Sequence, residues 1–265
     1  MQRERLSGVP FSLPLIAGLI CFVACTNTAR SQELDQRTTG PFLCRADFSL
    51  AGYESLLAEL AQVQIDLTQA TGVQAAREPV ELYLFSDDRS YRAYLQAHFP
   101  QVPYRRALFV KGSGAGRVYV HRSPEMAVDV RHESTHALLH ATLPMVPLWL
   151  DEGLAEYFEV PSQQRATGNP NRKRLNWKIF FGRAPRLAAL EAKRELVEMT
   201  ETDYSYAWAW VHFMLHGPPE ARDELVHFLA DIGNNTPPGL LSQRLEQRLP
   251  GAESRFIAHF RTWKR

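Results

Sequence analysis

The chain has 265 residues, 45% of them hydrophobic, which is enough apolar material for one good-sized domain with its own core. Thirty Lys and Arg balance twenty-nine Asp and Glu for a net charge of +1. That balance excludes nucleic acid, or an anionic membrane surface, as a partner recruited by bulk charge.

The first segment reads as a targeting signal rather than as part of the fold. Arg3 and Arg5 precede an apolar stretch from about Val9 to Ala24, the form of a signal peptide over residues 1–24. Phe22-Val23-Ala24-Cys25 resembles a bacterial lipobox, with Phe where Leu is the norm. Lipidation at Cys25 leaves Cys44 a lone thiol; cleavage upstream allows a Cys25–Cys44 bridge in an oxidising compartment. The expectation is an exported lipoprotein of the bacterial cell envelope, facing the periplasm and touching membrane only through its N-terminal lipid. Residues 25–42 then form a polar tether, and residues 43–265 the folded domain.

Along that domain, Leu43 to about Thr71, with Leu56, Leu57, Leu60, Ile65 and Leu67, reads as a turn and a long amphipathic helix. Val80–Phe85 alternates like a strand, and Ser86-Asp87-Asp88 opens a helix through about Ala97. Ala107–Val110 and Arg117–His121 read as strands around the Gly-rich turn 112–116. That turn lacks the pattern of a phosphate-binding loop.

Ser123-Pro124-Glu125 then marks a helix start, with the cap followed by proline at the first helical position. The helix carries His132-Glu133-Ser134-Thr135-His136, and Pro144 and Pro147 turn the chain back. Two histidines four apart lie one turn apart on one helical face, so both imidazoles can reach one ion. Glu133 projects beside that ion, where a carboxylate can take a proton from an attacking water. A catalytic zinc usually takes three protein ligands. Glu152, in Trp149-Leu150-Asp151-Glu152-Gly153-Leu154-Ala155-Glu156-Tyr157-Phe158, is the evident third, with Glu156 four residues further on the same face. His140 continues the histidine face by one turn, but a straight helix cannot wrap three residues around a tetrahedral ion, so it stays outside the ligand set.

The pair HESTH and WLDEGLAEYF resembles the gluzincin metallopeptidases, which join HExxH to a downstream Glu, and within them the minimal peptidase MA-like branch. The resemblance spans roughly residues 80–216. It implies an α+β, zincin-like domain with a small, mostly antiparallel sheet, an HExxH active-site helix and a helical C-terminal half. It implies Zn2+ held by His132, His136 and Glu152, Glu133 as general base, and Glu156 as a buttress of one ligand. The connection from His136 to Glu152 is shorter than in the aminopeptidase-N group, and no GxMEN-type segment is present, so exopeptidase activity is not implied.

Downstream, Asn169–Arg174 reads as a solvated basic loop, and Thr202–Leu215 as a buried helix packed on the metal-bearing pair. By the same resemblance Tyr204 faces the zinc and donates a hydrogen bond to an oxyanion, with Tyr206 the alternative. An edge strand ahead of the metal helix commonly receives extended substrate in zincins, which points to 117–121. Two helical stretches, about 219–233 and 238–263, close the domain. The resulting expectation is an endopeptidase acting on a peptide or protein substrate. Two rivals stand beside it: a non-catalytic envelope lipoprotein using a zincin fold for binding, and a zinc hydrolase of non-peptide amides or esters.

Overall fold

The computed structural model describes residues 34–112, 116–170, 175, 179 and 185–263. Leader, Cys25, the centre of the Gly-rich turn and most of the basic loop 169–174 therefore lie outside the described residues.

Five strands form one sheet in the order β1-β2-β3-β5-β4: β1 (Asp35–Thr39), β2 (Phe42–Ala46), β3 (Val80–Phe85), β4 (Ala107–Val110) and β5 (Arg117–His121). The pairs β1–β2 and β4–β5 are antiparallel, whereas β2–β3 and β3–β5 are parallel. The sheet is thus mixed rather than mostly antiparallel. The β2–β3 pairing follows from α1 (Glu54–Thr71), which returns the chain to the end of the sheet from which β2 started, as parallel pairing requires; after β3 and α2 (Asp88–His98) it is the antiparallel β4 that makes the return before β5.

The central strands are covered on both faces, which explains the nearly uninterrupted burial of β5. On one face Val80, Leu82, Leu84, Val118 and Val120 join the main core. On the other, Tyr119 packs with Tyr91 and Leu95 of α2 and with Leu108 of β4 in a second cluster. The Asp87 carboxylate accepts from the Ser90 N–H at 2.8 Å and caps α2 where the sequence places a helix start.

Two boundaries differ from the sequence reading. The segment expected to end as tether contains β1, and the start of the expected long helix is β2, whose Phe42, Cys44 and Ala46 point inward. Only from Glu54 does a helical stripe take over, with Leu57, Leu60, Val63 and Leu67 buried, while Ile65 is 47% exposed. Likewise 238–263 divides into α8 (Leu241–Arg248) and α9 (Ala252–Thr262). Pro250 and the left-handed Gly251 (φ 75°) separate them.

Helix α3 (Met126–His140) lies against β4 and β5 and carries the two histidines. Its buried Arg131 donates to Glu59 of α1 at 2.8 Å and to the Glu159 carbonyl, tying α3 to both neighbours. Helix α4 (Leu148–Phe158) returns beside α3. After the short α5 (Leu187–Glu191), α6 (Glu201–His216) packs along α4 in the most extensive contact between any two elements described. Gly153 makes that approach possible: a Cβ there would stand 2.7 Å from the Ala207 carbonyl oxygen. Helix α7 (Pro219–Gly233) follows, with Pro219 at its first turn. Among the described residues no helix is long and apolar enough to cross a membrane.

Candidate metal centre

His132 and His136 project from one face of α3 and meet Glu152 from the first turns of α4. Their Nε2 atoms stand 3.3 Å apart, and Glu152 Oε2 lies 3.7 Å from one and 3.8 Å from the other. Donor atoms bound to a tetrahedral ion at about 2.0–2.1 Å are about 3.3–3.4 Å apart. The three side chains thus already stand close to the spacing of a shared ion.

The opposite ring nitrogens explain why this arrangement calls for a cation. His132 Nδ1 meets Glu159 Oε2 at 3.1 Å, and His136 Nδ1 meets Asp151 Oδ1 at 2.9 Å. A carboxylate can only accept, so each Nδ1 carries the proton and each Nε2 turns a lone pair toward the other and toward Glu152. Such a gap is repulsive unless a proton or a metal ion fills it. Burial alone would lower the basicity of His132, but its hydrogen bonds to Glu152 and Glu159 overcome this and raise its pKa well above the ordinary value. Burial likewise opposes, and the Asp151 charge reverses, the shift at His136, whose pKa is also raised. This chemistry fits zinc: two imidazoles and a carboxylate, each imidazole held by a carboxylate behind it.

Neither Glu159 nor Asp151 was singled out by the sequence reading. Glu156, the expected buttress, joins His132 and Glu159 in a second grouping whose donor atoms lie within 4.8 Å of one another. The hydrogen bond to His132 Nδ1 is nevertheless made by Glu159, three residues on. A usable signal existed: in the DEG sequence the acidic residue before Glu152 sits one helical step from a ligand. His140 is no ligand; its Nε2 meets Asp151 Oδ2 at 2.8 Å.

The three side chains open onto a cleft of about 270 Å³, which Glu133, Phe109, Arg105 and Tyr204 also line. Tyr206 instead packs partly buried against the main core, so the cleft receives Tyr204. Burial, and then the nearby Glu152 charge, push the Tyr204 phenol up to about 12, which keeps it a hydrogen-bond donor at neutral pH. The strand beside the cleft is β4, through Ala107, Leu108 and Phe109. Strand β5, the sequence candidate for receiving substrate, is paired on both sides by β3 and β4 and has no free edge.

Residues 126–238 match a family model described as a protein of unknown function (DUF1570). No curated protein matches the chain. Among solved structures, the M1 zinc metallopeptidase from Deinococcus radiodurans is similar at 14% identity and a TM-score of 0.43. A point mutant of that enzyme gives 15% identity and a TM-score of 0.49. In both cases the match covers 85% of this chain and 50% of the other, so the chain spans about half the length of these neighbours.

Proposed function

We propose that this chain is a zinc-dependent endopeptidase of the gluzincin type, with His132, His136 and Glu152 as metal ligands. The observation that carries the reading is the joint presence, in one open cleft, of this donor set and the Glu133 carboxylate. The chemistry that zinc supplies when bound is Lewis acidity toward a carbonyl oxygen and toward water. Glu133, next to His132 on α3, accepts the proton of the attacking water and returns it to the leaving amine nitrogen. Tyr204 donates its O–H to the oxyanion as the carbonyl carbon becomes tetrahedral. Asp151 and Glu159 keep the two imidazoles in the tautomer that leaves Nε2 free. The proposed setting is the bacterial cell envelope, with anchoring through Cys25 as the leader sequence suggests, and the proposed substrate is a peptide or protein.

Cleavage of a peptide library by the zinc-loaded protein, with Glu133→Gln as the blank, tests this reading. The account predicts cleavage that falls by at least about 10²-fold in Glu133→Gln, the lower end of general-base contributions, with zinc still bound. Zinc binding without any peptide cleavage, but with hydrolysis of amide or ester model compounds, would replace the peptide by a non-peptide substrate. Full zinc occupancy with no hydrolysis at all would favour a binding module.

A further inference from the structure

We propose that His140 is a positioning residue of the metal centre: it fixes the carboxylate that orients metal ligand His136. The inference rests on the zinc reading and adds a part to it. The motif His132/His136 continues to His140, and the structure joins the last two through α4. Asp151 Oδ1 meets His136 Nδ1 at 2.9 Å and Asp151 Oδ2 meets His140 Nε2 at 2.8 Å. Each nitrogen must donate, because an ionised carboxylate offers no proton. One carboxylate is therefore pinned by two N–H groups from the same helix, each on its own oxygen. With both oxygens engaged, the group cannot rotate away from His136.

Two further observations distinguish this arrangement from an ordinary histidine at a helix end. First, the ring of Phe109 lies nearly parallel to both imidazoles, 6.3 Å from His136 at 16° and 5.6 Å from His140 at 26°. Phe109 is itself confined, since a Cβ on Gly116 would stand 3.0 Å from its ring. The edge strand thus forms one wall that holds both rings. Second, His140 spends its one committed N–H on Asp151, while its Nδ1 is buried with no hydrogen-bond partner. A histidine serving only the helix end would turn its N–H groups toward the last carbonyls. Here the interaction runs across to α4 instead. Metal-ligating histidines depend on their outer hydrogen-bond partners for about 10–100-fold in metal affinity. His140 supports such a partner.

The test is zinc affinity of the purified full chain, by competition with a chromophoric chelator, alongside the absorption spectrum of the cobalt-substituted form. His140→Phe keeps a ring against Phe109 but removes the donor, and His140→Leu provides a second donor-free variant should the first fold poorly. His140→Gln restores an N–H within reach of Asp151. The proposal predicts about tenfold weaker zinc binding in both donor-free variants, with recovery to within about threefold in Gln, as expected of a ligand's outer support. The cobalt bands should shift in Phe and Leu and return in Gln. Wild-type affinity and an unchanged cobalt spectrum in Phe or Leu would overturn the proposal. Equal weakening in all three variants would also overturn it, since shape rather than the donor would then matter. Failure of the wild-type chain to bind zinc would instead strike the metal assignment itself.

Discussion

Beside the three ligands stand two groups aimed at the reacting atoms and two that hold the ligand imidazoles. Glu133 and Tyr204 face the same cleft, but their removal should read out differently. Tyr204→Phe should lower kcat by about 10²-fold with little change in KM, as loss of one oxyanion donor does; a change confined to KM would contradict the role. The HExxH pair was legible from spacing alone, since helical geometry fixes which side chains share a face, and Glu152 was legible from the motif that carries it on the next helix. Asp151 and Glu159 were not, because an outer carboxylate is defined by which imidazole nitrogen it meets, and that depends on how α4 leans on α3. A separate residue-scale prediction concerns His216, which burial holds below its ordinary pKa while Nε2 meets the Tyr157 hydroxyl at 2.8 Å. A depressed histidine costs nothing above its unfolded pKa of about 6.5, and its penalty grows as pH falls below that value. His216→Gln should therefore lessen the loss of thermal stability between pH 6.5 and 5; an unchanged slope would remove His216 as its source.

At the scale of elements, the site depends on how closely α4 approaches α6. Gly153 follows ligand Glu152 and lets the backbone come within reach of Ala207. Gly153→Ala should cost about 1–3 kcal/mol by overpacking and should weaken metal binding, because it pushes Glu152 off its position; chemical denaturation with a zinc titration measures both. An Ala variant as stable as wild type would show that the helices can separate without penalty. At the start of α6, Thr200 accepts from the Asp203 N–H and Asp203 reaches back to the Thr200 N–H at 2.8 Å, a reciprocal cap. While the metal helix begins at Met126 rather than at the Ser123-Pro124 start expected of it, the helix capped by Asp87 and those with long apolar stripes were readable in sequence. The short strands β1 and β2 were not: five residues of alternation resemble a helix start until a neighbouring strand pairs with them. The parallel pairing was hidden for a related reason, since it depends on where α1 and β4 return the chain, and no local pattern records that.

For the described residues as a whole, a mixed sheet whose central strands are covered on both faces forms the floor, and the helical half packs against it to complete the cleft. An α+β class with a small sheet and a helical C-terminal half was expected from the chain and is what the structure has, whereas the strand that borders the cleft was misassigned. Strand β5 looked like an edge because its burial by α2 and β4 is not visible in its own residues. The core's closure has its own readout: burial raises the Cys44 thiol to about 11. In a chain starting at Glu33, where Cys44 is the sole cysteine, thiol reagents at pH 8 should react only after unfolding. Fast labelling of the native protein would show that β2 opens. The central claim, that α3 and α4 build a zinc site, is tested most directly by metal analysis of the purified protein beside His136→Ala. The account predicts close to one zinc per chain in the wild type and none retained by the variant. A wild-type protein that folds without metal, and takes up none when zinc is supplied, would contradict it.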